Sequence, residues 1–584
     1  YCRMAAAAHP LGATSPHGRR AVAVDVLLLS LLVFVVYFAR IGDLPPLGEE
    51  GRRARGAVNM IESGDWVVMR QGGVVFADRP PMTQWLIAVA GLARGQVDIV
   101  AARLPSVVAV LATTLLLYLY CARFDSRLAA TTAAAAYATF AQVMQIGRLG
   151  ESEAAFGFFV AASLLLWHLA FASGWRPVSA WLLGYSLAAL GALSKGLQAP
   201  VYFVGTTVVF LLLRGNRRWM LGWGQWIGLT AFALAIAAWQ VPYSLATGAQ
   251  ASIDNWVAVA GARIGLGGLL GHLAGYPLET IGSLLPWSLA LLALADRGIR
   301  QGLLRDRPHL AFILTALAVT YPTVWLAAGA KTRYYLPLYP CVAVLVGALV
   351  ARMSAAPPGS FAARLWRFAL RAAAVAAVGA VVALGLAHLV DSEPAVAMRQ
   401  TAFWSGLVIL AAAATVAATR RARSGVSTGA ARRAVLATAA LLGIVHTTFW
   451  LDSLASQRED PRPLVAALRA QIPAPETLVS LGPVDTRFAF AYRHLIREVP
   501  WPATLAEVPP DLDYFCFDVR LTDTPESRYA ERGMHDAWTT PGTLPFAWEE
   551  IGRVAITPEA QGLRNVTVVI GRVRRGADGL PVGR

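Results

Sequence analysis

Residues 155–172 read AFGFFVAASLLLWHLAFA, an apolar stretch as long as a helix that crosses a lipid bilayer. Residues 147–153, just before it, read GRLGESE and place one arginine and two glutamates at the end of the run. Similar apolar stretches recur along the 584-residue chain, which is 56% hydrophobic and only 15% charged. Soluble domains are about a quarter charged. The sequence therefore predicts a polytopic α-helical membrane protein.

The arginines between the apolar stretches follow a topological pattern. We predict thirteen spans, at residues 21–40, 101–121, 128–144, 155–172, 178–193, 198–213, 222–241, 280–295, 308–328, 334–351, 368–389, 403–419 and 433–451. If the tail of residues 1–20 is cytoplasmic, every predicted inside loop carries arginine, as the positive-inside rule requires. Membrane orientation thus explains the net charge of +16, and we expect no nucleic-acid partner.

Three long segments fall on the predicted outer face, namely residues 41–100, residues 242–279 and the stretch from about residue 452 onward. The last segment has the composition of a soluble domain, with a helix pattern at 463–471 followed by four short strand-like runs at 477–481, 514–519, 550–554 and 566–573. We therefore predict a small extracytoplasmic α/β domain over residues 452–584, after a transmembrane domain over residues 21–451. The four cysteines lie far apart, which favours neither a disulfide framework nor a metal knuckle.

Four carboxylates lie beside predicted spans on this outer face. Glu49 and Glu50 follow the first span, and Glu151 and Glu153 stand in the short loop before a later one. Carboxylates at the lipid boundary are costly unless they are paired or used in function. A loop in which Glu49 merely pairs with Arg52 is the alternative to a functional role.

Four cations lie on the same predicted face: Arg79, Lys195, Lys331 and Arg333. The two lysines are the only ones among 51 basic residues, and their retention predicts that both positions require the compact geometry of an ammonium group. Cations at the membrane surface, near carboxylates, suit a phosphate carried on a membrane lipid. Each cation taken alone could instead extend toward lipid head groups. No glycine-rich nucleotide loop accompanies them, so we expect no nucleotide cofactor.

Six motifs in order between residues 21 and 350 resemble those of the polytopic glycosyltransferases that use polyprenyl-phosphate sugars. That family includes the lipid A aminoarabinose transferase and the protein O-mannosyltransferases. The matching stretches are Glu49-Glu50-Gly51-Arg52-Arg53, Glu62-Ser63-Gly64-Asp65-Trp66, Arg79-Pro80-Pro81, Arg148-Leu149-Gly150-Glu151-Ser152-Glu153, Ser194-Lys195-Gly196 and Arg333-Tyr334-Tyr335-Leu336-Pro337-Leu338-Tyr339-Pro340. The chain departs from the family pattern where Glu49 and Glu153 replace aspartates, Arg53 replaces a tyrosine and Arg79 replaces a lysine.

The resemblance implies a GT-C fold of about thirteen transmembrane helices and an inverting sugar transfer at the outer face. It implies that Glu49 acts as the base, with Glu153 as its partner, and that the two could hold a divalent metal ion. The four cations Arg79, Lys195, Lys331 and Arg333 would hold the donor phosphate. The supporting residues would be Glu50, Arg52, Arg148, Glu151, Tyr334 and Tyr335.

The resemblance also implies partners and a location. We expect a polyprenyl-phosphate-linked sugar as donor, a lipid A-like glycolipid, another glycan or a protein as acceptor, and a monomer surrounded by membrane lipids. The expected location is a bacterial-type inner membrane. Two other classes stay open, because a transporter or flippase of a lipid-linked sugar would also bind the donor. The glutamates in place of aspartates keep a catalytically altered relative with a binding role open as well.

Overall fold

The structure is a computed structural model. It describes residues 16–71, 74–75, 79–250, 253, 256, 268–387, 389, 402–424, 427–456, 460–520, 544–556, 566–577 and 579–583. The longest stretches outside the described residues are the tail before residue 16, most of 251–267 in the second outer loop, 390–401, and residues 521–543 and 557–565 of the predicted C-terminal domain.

The elements follow one another in this order. The described α-helices are α1 (Pro16–Val33), α2 (Glu50–Ser63), α3 (Met82–Arg94), α4 (Ile99–Phe124), α5 (Arg127–Ala138), α6 (Ala141–Ile146), α7 (Glu153–Ala172), α8 (Pro177–Lys195), α9 (Gln198–Leu213), α10 (Arg217–Leu221), α11 (Trp223–Thr247), α12 (Leu269–Ser283), α13 (Arg297–Asp306), α14 (Leu310–Trp325), α15 (Tyr339–Ser354), α16 (Phe361–Ala387), α17 (Ala402–Ser424), α18 (Thr428–Val445), α19 (Leu451–Ser456), α20 (Pro461–Arg469) and α21 (Thr486–Tyr492). The strands are β1 (Arg70–Gln71), β2 (Val74–Val75), β3 (Val479–Leu481), β4 (Arg497–Val499), β5 (Tyr514–Arg520), β6 (Trp548–Ile556) and β7 (Val566–Val573). Shorter π or 3₁₀ helices are Phe34–Phe38, Trp287–Ala295, Thr332–Leu338, His446–Trp450, Pro475–Thr477 and Leu505–Glu507.

Membrane-crossing helices dominate the described residues. Nine helices there are long and apolar enough to span a bilayer, and two pairs bent by 116° and 108° raise the number to eleven if each pair is one span. The other two predicted spans fall on shorter helices. Residues 128–144 are divided between α5 and α6, because Phe140 adopts an extended conformation, and residues 198–213 coincide with the 16-residue helix α9. The chain is a multi-pass helical membrane protein, as predicted.

The first of two structural units comprises residues 1–41, 78–83 and 104–453. Helix α15 is buried within it along nearly its whole length. Gly347, in the middle of α15, lies so close to α5 that a Cβ atom there would be 2.4 Å from the carbonyl oxygen of Ala129. Small residues allow such close helix contacts in membrane proteins, where packing rather than hydrophobicity drives helix association.

Three elements of this unit bring their ends together. Helix α7 begins at Glu153, α8 ends at Lys195, and the 3₁₀ segment Thr332–Leu338 leads into α15. Gly157 permits the close approach, since a Cβ atom there would lie 3.2 Å from the Cδ2 atom of Leu336. Gly196 has a φ of 106°, a conformation that side chains disfavour, and it ends α8 directly after Lys195. The local backbone therefore places charged residues from three elements near one point.

The second unit comprises residues 42–77, 84–103 and 454–584. Its first part contains α2, whose last residue is followed by left-handed Gly64, and the antiparallel hairpin of β1 and β2 that the Gln71-Gly72-Gly73 turn predicts. Its last part is the predicted α/β region. The predicted boundaries between tail, transmembrane domain and C-terminal domain stay predictions, but the structure groups most of the first outer segment, without residues 78–83, with the C-terminal region in one unit.

The C-terminal region is a five-stranded sheet in the order β4-β3-β5-β7-β6. Strands β3, β4 and β5 are parallel, whereas β5, β7 and β6 are antiparallel. Helices α20 and α21 contribute to the apolar cluster on one face, and aromatic residues of β5 and β6 form part of a second cluster. The sequence predicts α20 and four of the strands but not β4, which has three residues and is partly exposed.

Candidate functional site

Glu153 and Lys195 form a buried ion pair in the first unit. The Nζ atom of Lys195 lies 2.8 Å from Oε1 of Glu153, and both side chains are less than a tenth exposed. A buried pair of this kind is strongly coupled, because removing one partner leaves an uncompensated charge and costs about 3–5 kcal/mol. The pair joins the first residue of α7 to the last residue of α8.

Arg333 brings a second cation to the same carboxylate. Its Nε atom lies 3.8 Å from Oε1 of Glu153, and its Nη1 atom donates to Oε2 of Glu151 at 3.2 Å. Glu151 is buried, and its backbone carbonyl accepts a hydrogen bond from the Ser106 hydroxyl at 3.4 Å. The guanidinium therefore bridges the two glutamates of the GRLGESE loop.

Arg79 reaches the cluster through Ser152. The Nη1 atom of Arg79 donates to Oγ of Ser152 at 3.0 Å, and that hydroxyl donates to Oε2 of Glu153 at 3.3 Å. Both carboxylate oxygens of Glu153 are thus engaged, Oε1 by Lys195 and Arg333 and Oε2 by Ser152. We call Arg79, Glu151, Glu153, Lys195 and Arg333 the cation cluster; three positive groups there face two negative ones.

Aromatic residues hold the cluster in place. The Nζ atom of Lys195 lies 5.1 Å from the ring centroid of Tyr334, within cation–π range. The Tyr334 carbonyl accepts from Nε2 of Gln198 at 3.3 Å, whereas Tyr335 points into the core and packs edge-on against Tyr321, with centroids 5.0 Å apart.

Lys331 is exposed and precedes the 3₁₀ segment, and its carbonyl accepts from the Tyr276 hydroxyl at 3.4 Å.

The contact that Arg148 makes stabilises the fold. It is buried, and its Nη2 atom donates to the backbone carbonyl of Val36 in the π-helical turn Phe34–Phe38. A π-helical turn shifts the carbonyl pattern of a helix and leaves acceptors for side chains to satisfy. Thr447 donates to the same carbonyl at 3.3 Å. Arg148 therefore ties the start of the GRLGESE loop to the end of α1.

In the second unit, Glu50 is completely buried and forms a two-pronged ion pair with Arg103. The distances are 2.8 Å from Nε to Oε1 and 2.7 Å from Nη2 to Oε2. Arg103 also donates to the carbonyls of Leu44 and Pro45, and the Leu47 amide donates to Glu50 at 2.8 Å. Such planar bidentate geometry fixes orientation as well as charge. Glu50 thus holds the loop that follows the first span.

Glu49, beside it, remains more accessible. It occupies the N-cap position of α2, its side chain is 38% exposed, and it pairs with Arg52 one turn later. The pairing with Arg52 agrees with the alternative in which Glu49 is part of a salt-bridged loop and has no functional role. The pair encloses Glu49 only in part, since 38% of the glutamate side chain stays exposed, compared with 14% for Arg52. Neighbouring Glu49 and Glu50 therefore have different surroundings, one accessible and one locked.

Sequence reasoning missed three residues that the structure adds: Ser152, Gln198 and Arg103. Arg103 carried a signal, because an arginine inside an apolar run is costly unless it has a partner. Ser152 and Gln198 carried none, since their contacts depend on how α7, α9 and the 3₁₀ segment meet.

A divalent metal ion between Glu49 and Glu153 stays a prediction. Among the described residues, no group of three or more histidine, cysteine, aspartate or glutamate side chains is arranged to hold a metal ion. The immediate neighbours of Glu153 are cations, which repel a metal ion rather than complete its coordination. The residues around Glu153 therefore fit a divalent metal ion poorly.

A family model described as dolichyl-phosphate-mannose-protein mannosyltransferase matches residues 78–243. A curated relative from Pseudomonas aeruginosa, named undecaprenyl phosphate-alpha-4-amino-4-deoxy-L-arabinose arabinosyl transferase, is 28% identical over 324 residues, 52% of this chain and 56% of the relative. A protein of the same name, numbered 2, from Proteus mirabilis is 25% identical and covers 64% of this chain and 67% of its own length. The chain thus spans little more than half of the first of these relatives.

Structural similarity covers more of the chain than sequence similarity does. The crystal structure of ArnT from Cupriavidus metallidurans bound to undecaprenyl phosphate matches 94% of this chain and 98% of its own, with a TM-score of 0.66 and 16% identity. The apo form of that protein matches with a TM-score of 0.63. The chain therefore shares the fold of ArnT, and its resemblance to the polytopic glycosyltransferases that use polyprenyl-phosphate sugars is confirmed.

Proposed function

We propose that this chain transfers a sugar from a polyprenyl-phosphate donor to an acceptor at the membrane surface. The observation that carries the proposal is the cation cluster, in which Lys195, Arg333 and Arg79 converge around two carboxylates. Three positive side chains converge there, and convergent cations of this kind suit a phosphate as ligand. The matching family model and the names of the curated relatives support a lipid-linked phosphate as that ligand.

The proposed reaction breaks the bond between C1 of the sugar and the phosphate oxygen, while an acceptor oxygen forms a new bond to C1 from the opposite side. The electron pair of the broken bond leaves with the polyprenyl phosphate, which departs as an anion and needs no proton. Fixed cations are well suited to stabilise the charge that develops on the leaving oxygen. Lys195, Arg333 and Arg79 have this role in the proposal. Lys331, which is exposed and stands two residues before Arg333, assists them.

Glu49 is the proposed base, which accepts any proton that the acceptor oxygen carries. Its partial exposure supports the assignment, because a general base must reach the proton that it removes. For Glu153, the contacts support a role in orienting Lys195 and Arg333, since its two oxygens are already engaged by cations and Ser152. We therefore propose that Glu153 organises the phosphate ligands and that Glu49 receives the proton.

The acceptor and the location are part of the same proposal. A lipid A-like glycolipid is the first acceptor to test, followed by other glycans and by proteins. The basic predicted loops support an orientation with the N-terminus in the cytoplasm and the cation cluster on the outer face of a bacterial-type inner membrane.

The test is label transfer by the purified chain in proteoliposomes. Radiolabelled undecaprenyl-phosphate sugars, including 4-amino-4-deoxy-L-arabinose, are supplied with lipid A or with a total envelope extract. We expect label in the acceptor with wild type, loss of transfer in Glu49→Gln, and full transfer in the control Glu279→Gln, which changes an exposed carboxylate on α12.

Three outcomes contradict the proposal. Label that crosses the bilayer on an intact lipid indicates a flippase, and donor that is bound but never consumed indicates a binding protein. Transfer by folded Glu49→Gln at the wild-type rate contradicts the assignment of the base.

A further inference from the structure

Helix α2 lies against the C-terminal sheet region within the second unit. Gly51, two residues after Glu49, packs so tightly on α21 that a Cβ atom there would lie 2.9 Å from the Thr486 carbonyl oxygen. At the other end of α2, the Glu62 carboxylate accepts a hydrogen bond from the Leu495 amide at 3.3 Å. The helix is thus held by the C-terminal region at both ends.

An apolar contact holds the middle of α2. Phe490 of α21 is 4% exposed and belongs to a cluster with Ala54 and Ala57 of α2. The same cluster includes Ile87 of α3 and Ile99 of α4. One aromatic side chain of the C-terminal region therefore packs among the helices that follow the first span. Burial of an aromatic ring of this size contributes substantially to such a contact.

Electrostatics favour the same arrangement. Burial lowers the pKa of Arg55, while the nearby carboxylates Glu498, Asp485 and Asp518 act in the opposite direction. Burial likewise raises the pKa of Glu498, and Arg55 partly offsets the effect. The two charges therefore interact electrostatically, and both side chains are partly buried.

Two of the three carboxylates lie toward the carboxyl edge of the parallel strands. Asp485 follows β3, and Asp518 lies two residues beyond the part of β5 that pairs with β3, whereas Glu498 is the middle residue of β4. Open α/β sheets bind ligands in the crevice outside the carboxyl ends of parallel strands, where the strand order reverses. Gly51 of α2 packs against Thr486, the residue directly after Asp485, and Arg55 lies within electrostatic range of the three carboxylates.

Glu49 is fixed from its other side by the loop before α2. Glu50 and Arg103 form their buried ion pair there, and Arg103 holds the carbonyls of Leu44 and Pro45. The candidate base therefore stands between one fixed loop and one docked helix. Movement of α2 away from the sheet would displace Glu49, because only Glu50 separates it from the docked residue Gly51.

We propose that the C-terminal α/β region positions the candidate base Glu49, by holding α2 through the close packing of Gly51 on Thr486 and the buried ring of Phe490, with the charge of Arg55 balanced by the carboxylates of the sheet. This inference rests on the proposed transfer reaction. It assigns Arg55 and Phe490 as positioning residues, which act through Glu49 and do not touch the donor. Their loss should lower turnover, while the donor phosphate remains bound by the cation cluster.

The experiment compares variants of the full chain in the proteoliposome transfer assay. The variants are Arg55→Glu, which adds a fourth carboxylate near the three of the sheet, Phe490→Ala, and the conservative Arg55→Lys. The matched control is Arg497→Glu, beside Glu498, because Arg497 is exposed and pairs only at the surface with Asp511 at 2.8 Å. Hydrogen exchange of the α2 amides reports docking independently of activity.

We expect kcat to fall by about 10- to 100-fold in Arg55→Glu and Phe490→Ala, since displacement of a reacting group by about 1 Å can cost this much. The KM for the lipid donor should stay near the wild-type value, α2 exchange should become faster, and Arg55→Lys should restore most of kcat. Arg497→Glu should resemble wild type. If Arg55→Glu does not accumulate, Arg55→Gln removes the charge without adding repulsion.

Two results overturn the inference and leave the proposed function intact. One is faster exchange of α2 with unchanged kcat, which would separate docking from turnover. The other is a rise in donor KM with unchanged kcat, which would place these residues in donor binding. Absence of transfer by wild type instead overturns the proposed function and this inference with it, so the two failures are distinguishable.

Discussion

Lys195 and Lys331, the only lysines in the chain, have different surroundings. Lys195 is buried, contacts Glu153 at 2.8 Å and lies over the ring of Tyr334, whereas Lys331 is exposed at the start of a 3₁₀ segment. A compact ammonium fits the first place, where a planar guanidinium would need more width. The sequence predicts that both lysines require ammonium geometry; the structure provides the enclosed surroundings for that requirement only at Lys195.

We therefore expect Lys195→Arg to lower kcat/KM for the lipid donor by about 10- to 100-fold, since misplacement of a group by about 1 Å costs about that much. Lys331→Arg is the matched variant and should change kcat/KM little. Transfer rates measured against donor concentration check both. Equal losses in the two variants would contradict the distinction drawn from their burial.

The functional roles of the glutamates also depend on contacts that sequence cannot provide. Glu49 and Glu50 are neighbours of the same type, yet one is accessible and the other is locked by Arg103. Arg103 lies more than fifty residues away in sequence, so only folding reveals the pair. Glu153 was predicted from the family pattern, but its engagement by Lys195, Arg333 and Ser152 follows from the meeting of three elements.

Helix packing in the first unit depends on glycines at particular crossings. Gly347 of α15 faces the α5 backbone, where a Cβ atom would lie 2.4 Å from the Ala129 carbonyl oxygen. Gly379 of α16, by contrast, has no atom within 4 Å of its Cβ position among the described residues. The two glycines occupy apolar helices, so they form a matched pair that differs in packing.

We expect Gly347→Leu to destabilise the protein in detergent by about 3 kcal/mol or more, because overpacking a tight contact forces backbone shifts. Gly379→Leu should leave the melting temperature close to that of wild type. Thermal unfolding followed by fluorescence-detected size exclusion compares them. A stable Gly347→Leu protein would show that α5 and α15 do not pack as closely as described.

At the scale of single elements, the lengths of the apolar stretches predict the membrane helices well. A segment that crosses lipid must form its own backbone hydrogen bonds, and a helix does so. Helix α2, α3 and the β1–β2 hairpin also follow from local signals such as Gly64, Pro80-Pro81 and Gly72-Gly73. Local signals failed for β4 and for the division of residues 128–144 into α5 and α6. Both depend on tertiary neighbours, which a single sequence does not display.

The two units hold different groups of candidate functional residues. The first gathers the cation cluster at the junction of α7, α8 and the segment before α15, and the second holds Glu50, Glu49 and α2 on the C-terminal sheet. The sequence predicts most members of both groups through the family pattern. It does not predict that most of the first outer segment and the C-terminal region form one unit, since contacts between residues so far apart leave no local trace.

The central claim is that the cation cluster binds the phosphate of a polyprenyl carrier, and the most direct measurement is the affinity of the purified chain for undecaprenyl phosphate. We expect wild type and the exposed control Arg297→Gln to bind equally. Arg333→Gln should bind about 10- to 100-fold more weakly, since a hydrogen bond to a charged group contributes about 1.5–3 kcal/mol. Equal binding by Arg333→Gln and wild type, or no binding by wild type, would contradict the claim.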